Sequence, residues 1–242
     1  MIIFRKKPMA GVLYLIPNTL GNPDTTRTIP AAIPELTRVI KIYIVENLRN
    51  ARRFLKSLDR SIDIDQLLFY ELNEHTAFEE IPDFLQEVVN GADAAVLSEA
   101  GLPGVADPGA LVVALAHQKG IQVVPMTGPS SILLSLMASG LNGQAFTFHG
   151  YLPVKHPERI KKIREIDQRI KRTKETQIFI EAPYRNDGLF ADLIDSCTPL
   201  TMLCVAADIT MDTEYIRTKS IAEWKKGRKP LLHKRPVIFL LG

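Results

Sequence analysis

The run Ala94-Ala95-Val96-Leu97-Ser98-Glu99-Ala100-Gly101-Leu102-Pro103-Gly104-Val105-Ala106-Asp107-Pro108-Gly109 decides how this chain folds. It opens on a short apolar stretch with no polar alternation, the mark of a strand buried on both faces. It continues through a loop carrying Gly101, Gly104, Gly109, Pro103 and Pro108, then enters an apolar helix expected over 110–119. In open parallel sheets, ligands sit beyond the carboxyl ends of the strands, where loops can turn main-chain groups toward them. Glycine permits close approach of the main chain, and proline stiffens the loop so that less order is lost on binding. A loop this rich in glycine and proline is equally well a plain connection, and both readings stand at this point.

Outward from that run the same pattern recurs. In the first half, strands are expected over 12–17, 40–45, 67–72, 94–98 and 121–125, with helices over 47–58, 78–90 and 110–119. A turn-rich segment, Asn18-Thr19-Leu20-Gly21-Asn22-Pro23, follows the first strand. Thr127-Gly128-Pro129-Ser130 punctuates the start of a further helix over 131–138. Unalternating strands separated by helices predict a mainly parallel sheet covered on both faces. The second half is less regular, with strands over 145–149, 177–181, 202–207, 215–218 and 236–241 and helices over 157–171 and 186–195. Only a short segment around Trp224 separates the last two strands, which predicts that they pair antiparallel in a mixed sheet. The fold class is α/β, with an N-terminal α/β domain over 1–125 and a C-terminal α/β domain over 126–242.

The 242 residues suffice for one large domain or two small ones. They are 46% apolar and 24% charged, as in ordinary globular chains. No apolar run approaches the ~20 residues that cross a bilayer. The chain opens Met1-Ile2-Ile3-Phe4-Arg5-Lys6-Lys7, apolar before basic, the reverse of a secretory signal, so a cytoplasmic location is expected. Cys197 and Cys204 lie among apolar neighbours without metal-ligand spacing and read as small core residues. There is no phosphate-binding G-x-x-x-x-G-K-[ST], no G-x-G-x-x-G in the first βα unit and no G-x-S-x-G elbow. No His/Cys/Asp cluster has metal spacing, so no metal is expected. Phosphoryl transfer, hydride transfer and metal-assisted hydrolysis all lose ground.

Taken in order, the motifs resemble those of the ribosomal small-subunit RNA 2′-O-methyltransferase I family, within the tetrapyrrole methylase superfamily. The family's T-P-I-G-N is similar to Ile16-Pro17-Asn18-Thr19-Leu20-Gly21-Asn22, with one residue inserted. E-D-T-R resembles Glu46-Asn47-Leu48-Arg49, and E-H-N-E resembles Glu71-Leu72-Asn73-Glu74. S-D-A-G-T-P-x-I-S-D-P-G matches Ser98 through Gly109. P-G-P-S-A resembles Thr127-Gly128-Pro129-Ser130-Ser131, and G-F-L-P-x-K resembles the segment 150–155. E-A-P-H-R matches Glu181-Ala182-Pro183-Tyr184-Arg185, and R-E-L-T-K survives faintly as Ala207-Asp208-Ile209-Thr210-Met211. The resemblance covers nearly the whole chain, which ends at the last strand without the family's small C-terminal extension.

The resemblance implies a two-domain tetrapyrrole-methylase-like fold with S-adenosylmethionine in the cleft between domains, and methyl transfer by a homodimer. Carried over by position, the cofactor meets Pro17, the loop Ser98, Glu99, Ala100, Gly101 and Leu102 with Val105, then Ser130 and Ser131. Tyr184, Ala206 and Ala207 close the site from the second domain. Asn22, Glu46, Arg49 and Arg185 are expected to face the substrate. A ribose hydroxyl needs its proton drawn off, so a nearby carboxylate helps. Glu99, Glu46 and Glu181 are candidates, each equally able to cap a strand end or pair with arginine, and no catalytic base is assigned.

Departures from the family fall on Glu99, Leu102, Tyr184, Ala207 and Met211, and on Tyr70 and Leu72 where histidines are lost. Main-chain recognition of a cofactor survives such changes; side-chain recognition of a particular RNA does not necessarily. Nine Lys or Arg stand against three acids over 155–174. Further basic groups gather at Lys225, Lys226, Arg228, Lys229, Lys234 and Arg235 and at Arg49, Arg52 and Arg53. Basic surface steers phosphate backbones, yet Ile160, Ile163, Ile166 and Ile170 make one stripe, so the first cluster is also readable as a helix's solvated face. Three functions compete: 2′-O-methylation of small-subunit ribosomal RNA, methylation of a small substrate such as a tetrapyrrole, and a catalytically degenerate cofactor- or RNA-binding homologue.

Overall fold

The structure, a computed structural model, describes residues 10–73 and 75–242. The N-terminal reading over 1–7 and Glu74 of the E-H-N-E-like segment lie outside the described residues. The chain divides into two compact units, Met1–Pro129 and Ser130–Gly242.

The first unit holds strands β1 (Val12–Ile16), β2 (Ile42–Val45), β3 (Leu68–Glu71), β4 (Ala94–Leu97) and β5 (Gln122–Pro125). They form one sheet in the order β3-β2-β4-β1-β5, every pair parallel. All side chains of β2 and β4 are buried, as their unalternating sequences require. Helices α1 (Ala32–Val39) and α2 (Leu48–Leu58) cover one face, where Ile33, Phe54 and Leu55 pack on Tyr43, Val45, Ala95 and Leu97. The other face carries a 3-10 run at Phe78–Leu85, α3 (Gln86–Val89) and α4 (Gly109–Gln118), where Phe84, Val88, Val112 and Ala116 pack on Leu13, Ile44 and Val96.

Two local expectations needed correction. The sequence reading left 24–39 without a helix, whereas α1 forms with Pro34 in its first turn, a place where the missing N–H has no helical partner to lose. The helix expected over 78–90 is 3-10 as far as Leu85, because Pro82 lies inside it and cannot donate to an α-helical ladder.

The second unit begins with α5 (Ser131–Ser139), capped by the Ser130 hydroxyl, which accepts from Leu133 N. Its sheet runs β6 (Phe146–Tyr151), β7 (Thr176–Ile180), β10 (Val237–Leu241), β8 (Met202–Ala207) and β9 (Tyr215–Ser220) in that spatial order. β6 and β7 are parallel, and all other pairs are antiparallel. The sheet is mixed as expected, but the last two strands do not pair. β8 lies between β9 and β10 and is antiparallel to both, because the short 208–214 turn keeps β9 beside β8. Helices α6 (His156–Thr173), α7 (Asn186–Ser196) and α8 (Ile221–Lys226) cover one face. There the buried Trp224 indole donates to Leu203 O at 2.9 Å and meets Phe190 edge-on at 5.4 Å. Cys197 and Cys204 are free and buried in this unit.

Candidate active site

The strand order of the first unit places the site. From β1 the chain crosses toward the β3 edge, and from β4 it crosses toward the β5 edge, although β1 and β4 are neighbours. Their following connections lead to opposite faces of the sheet, α1 on one and α4 on the other, and leave a crevice at the carboxyl ends of these two strands. The run that opened the reading leads directly into it.

Two side chains hold the crevice walls. Asn18, 9% exposed, donates from Nδ2 to Ser98 O at 3.0 Å and Glu99 O at 3.1 Å. Its main chain also pairs with Gly101 in both directions, at 2.9 and 3.2 Å. Asn18 thus staples the two loops together, a role that the sequence reading quoted inside a motif and did not assign. Asp107 does the same within the β4 loop: its Oδ1 accepts Gly104 N at 3.1 Å and Gly109 N at 2.7 Å. The loop needs such anchors, since Gly101, Gly104 and Ala106 all have positive φ, of 72°, 76° and 56°. Glycine is also demanded at Gly128, where an added Cβ would lie 2.2 Å from Pro17 Cγ, so the main chain passes directly against Pro17.

The carboxylates are placed unequally. Ser98 is buried and donates its hydroxyl to Ala100 O. Glu99 accepts from Asn50 Nδ2 at 2.6 Å, reaching across to α2. Glu46 stands at the end of β2; burial first, then hydrogen bonding and negative charge from Asp107 and the charge of Glu99, push its carboxyl up to about 8. Two open cavities meet here. One of about 400 Å³ is lined by residues including Asn18, Asn22, Asn50, Arg53 and Glu99. The other, of about 610 Å³, is lined by residues including Glu46, Asn50, Asn73, Glu99 and Pro108. Leu102 is half-buried and Val105 is 46% exposed, giving apolar surface beside exposed Ala100. Arg49 is exposed on the first turn of α2.

The fold brings Pro17, Asn22, Glu46, Ser98, Glu99, Ala100, Gly101, Leu102 and Val105 to the carboxyl edge of the first sheet. Of the expected residues in the second unit, Ser130 and Ser131 start α5. Tyr184 and Arg185 follow β7, and Ala206 and Ala207 end β8. β7 and β8 run parallel to each other on either side of β10, so these last four lie at one edge of the second sheet. There Arg185 Nε and Nη2 donate to Glu181 Oε1 at 2.8 and 2.5 Å, and Ala182 N donates to the same oxygen at 2.7 Å. The Arg185 guanidinium also lies 5.2 Å from the ring of exposed Tyr184. Glu181 thus meets Arg185 and Ala182 N through one oxygen, while Oε2 is buried without a partner.

Basic residues divide similarly between bound and free. On α6, Arg159 pairs with Asp192 and Lys171 with Asp167, while Ile163, Ile166 and Ile170 are buried. Lys161, Arg164, Arg172 and Lys174 have no acidic partner among the described residues. Arg235 is held by Asp208 and by the Leu231 and Thr213 carbonyls. Among the described residues, no group of His, Cys, Asp and Glu could hold a metal ion, and no helix is long and apolar enough to cross a membrane.

Residues 20–225 match the family model for tetrapyrrole (corrin/porphyrin) methylases. The chain belongs to the tetrapyrrole methylase family. Methyl transfer is therefore its chemistry, as the resemblance implied. Within the family it is 32% identical over 221 residues to a Streptococcus pyogenes protein named ribosomal RNA small subunit methyltransferase I, covering 91% of this chain and 72% of that one. A Vibrio cholerae protein of the same name is 30% identical over 234 residues, covering 92% and 77%. The fold is shared with the methyltransferase CobJ, at a TM-score of 0.64 and 13% identity, covering 96% of this chain and 94% of that one. It is also shared with a Thermus thermophilus uroporphyrin-III C-methyltransferase complexed with S-adenosylhomocysteine, at 0.55 and 16% identity, covering 96% and 97%. The α/β fold of a mainly parallel first sheet and a mixed second sheet is that of this methylase family.

Proposed function

We propose that this protein transfers a methyl group from S-adenosylmethionine to a ribose hydroxyl of small-subunit ribosomal RNA. The observation that carries the reading is the similarity, over about nine-tenths of the chain, to proteins named for that RNA. The unpaired basic side chains of α6 agree with it, since a phosphate backbone is held by cations that are not already neutralised. The reading also includes a homodimer, as the family resemblance implies, and a cytoplasmic location, as the opening residues of the sequence suggest.

The residues of the first unit suit the donor. The loop presents exposed Ala100 next to Gly101, and Asp107 and Glu99 add carboxylates suited to a cationic ligand. Pro17, Ser98, Glu99, Ala100, Gly101, Leu102 and Val105 would hold it, with Ser130, Ser131, Tyr184, Ala206 and Ala207 contributing from the second unit. When bound, S-adenosylmethionine supplies a methyl group already activated on its sulfonium. The protein's part is then alignment, worth up to ~7–11 kcal/mol for well-oriented reactants. Asn18 and Asp107 keep the loop in one conformation before binding, which lowers the ordering cost. Asn22, Glu46, Arg49 and Arg185 are the proposed substrate-facing groups.

The test is labelled methyl incorporation. Small ribosomal particles from cells lacking their own 2′-O-methyltransferase I should take up label from S-adenosylmethionine, and fully methylated particles should not. Labelling of a free tetrapyrrole with none of RNA would overturn the substrate. Tight donor binding without turnover on either would leave a degenerate homologue.

A further inference from the structure

We infer that Tyr184 is a stacking platform for an unpaired base of the RNA, its ring clamped from one side by Arg185 and Glu181. The inference rests on the proposed RNA substrate and goes beyond the donor contact proposed for Tyr184, since it gives the second unit a surface that grips the substrate.

The clamp is built at the end of β7. Glu181 follows that strand directly, and Pro183–Arg185 forms one 3-10 turn leading into α7. The Glu181 side chain is fully buried and that of Arg185 is largely covered. All three guanidinium nitrogens are engaged. Nε and Nη2 donate to Glu181 Oε1 at 2.8 and 2.5 Å, and Nη1 donates to the Tyr184 hydroxyl oxygen at 3.0 Å. A planar group held at three points keeps its orientation, so the guanidinium carbon stays 5.2 Å from the centroid of the Tyr184 ring. Its charge is matched by Glu181, so it serves the ring rather than a phosphate. Despite this contact, Tyr184 remains 65% exposed. A ring fixed on one side and open to solvent has little rotamer freedom left to lose when a second flat group stacks on it.

The surroundings fit a polynucleotide strand. β6 runs parallel to β7 with Tyr151 in register with Ile180, so a second tyrosine, 61% exposed, stands at the same edge. Pro183 O accepts from Lys234 N at 3.0 Å, and Asn186 Nδ2 donates to Arg235 O at 2.8 Å. These bonds hold the chain before β10 beside the turn that carries Tyr184. That chain exposes Arg228, Lys229 and Lys234, which have no acidic partner among the described residues. Single-stranded recognition combines free cations for the phosphates with flat aromatic faces for the bases. A purely apolar partner would leave those cations unmatched.

The experiment titrates the protein into a single-stranded oligoribonucleotide containing 2-aminopurine, whose fluorescence falls when its base stacks, with S-adenosylmethionine affinity measured in parallel by calorimetry. The unsubstituted protein should quench the fluorescence on binding, and Tyr184→Phe should keep the quenching because the ring remains. Tyr184→Ala and Tyr184→Leu should abolish it and weaken RNA binding roughly ten- to hundredfold. Lys234→Ala should keep the quenching and lower the slope of log affinity against log salt by about 0.7. Quenching that persists in Tyr184→Ala would overturn the inference, as would RNA affinity equal to that of the unsubstituted protein. Loss of S-adenosylmethionine affinity in Tyr184→Ala with RNA binding intact would do the same, because the ring would then serve the donor alone. The labelled-methyl assay separates the two readings. Methylation of small ribosomal particles without Tyr184-dependent quenching overturns the platform and spares the proposed function. Tyr184-dependent quenching without methylation of any RNA overturns the proposed function and spares the platform.

Discussion

The two sheets end in very different ways. At the carboxyl edge of the parallel sheet, the residues brought together act through main chain: Asn18 and Asp107 are spent on binding loop amides and carbonyls, and glycines carry the turns. At the corresponding edge of the mixed sheet, side chains bind side chains. Arg185 holds Glu181, and Arg235 holds Asp208, which also accepts from Thr213 Oγ1. The difference teaches what each edge can tolerate. A main-chain site is insensitive to substitutions that preserve its turns, so Glu99 and Leu102 can depart from the family pattern without altering the loop path. A side-chain site changes chemistry with each substitution, so departures such as Tyr184, Ala207 and Met211 are the ones expected to matter there.

The largest expected effect tests whether the loop depends on the second unit's core at all. Trp224→Ala removes a buried indole from its contacts with Phe190 and Leu203 O and should cost about 3–5 kcal/mol. Amide exchange should accelerate throughout β8 and β10, while Gly104 and Gly109 keep their protection. Equal loss at the loop would break the contrast between the two edges. Next in size, Asn18→Ala leaves the Ser98 and Glu99 carbonyls without their shared donor, an expected cost of about 1–3 kcal/mol. Expressed through donor binding, this is roughly a ten- to hundredfold weaker dissociation constant by calorimetry. Unaltered affinity would show that the crevice is not stapled by Asn18. Glu46 adds a pH signature to the same edge. Since its folded value, about 8, exceeds the ordinary 4.5, the protonated carboxyl's contribution to stability is whole below about 4.5. It diminishes as pH rises and is gone above about 8. Glu46→Gln should flatten that slope in denaturant titrations, and a slope equal to that of the unsubstituted protein would contradict it.

Much of this was legible before the structure, for identifiable reasons. β2 and β4 announce themselves because unalternated apolar runs have little alternative to a doubly covered parallel sheet. The loop after β4 could be singled out because glycine and proline are read locally. What escaped depends on tertiary placement. Strand order is not written in any one strand, so the insertion of β10 between β7 and β8 was out of reach, and a β9–β10 pair seemed natural. α1 was hidden by Pro30 and Pro34, which look like breakers unless one knows that the helix starts between them. Asn18 and Asp107 were quoted only as motif letters: an Asn in a turn or an Asp before a helix is ordinary, and which amides each meets is fixed only when β1 and β4 become neighbours.

The finest comparison sets Ala106 against Asp208, non-glycine residues at positive φ on opposite edges, 56° and 51°. An L-residue pays roughly 1–2 kcal/mol for this conformation, whereas glycine adopts it freely and loses more entropy on folding, on the order of 0.5–1 kcal/mol. Ala106 is exposed and contributes only its main chain, so Ala106→Gly should be neutral to about 1 kcal/mol stabilising. Asp208→Gly obtains the same backbone relief but strips Arg235 and Thr213 of their acceptor. Hydrogen bonds to a charged group are worth about 1.5–3 kcal/mol, so the second substitution should destabilise despite the easier turn. Thermal unfolding of the pair reads the sign directly. Opposite signs would mean that one edge is built from backbone geometry and the other from side-chain partners; matching signs would erase that distinction.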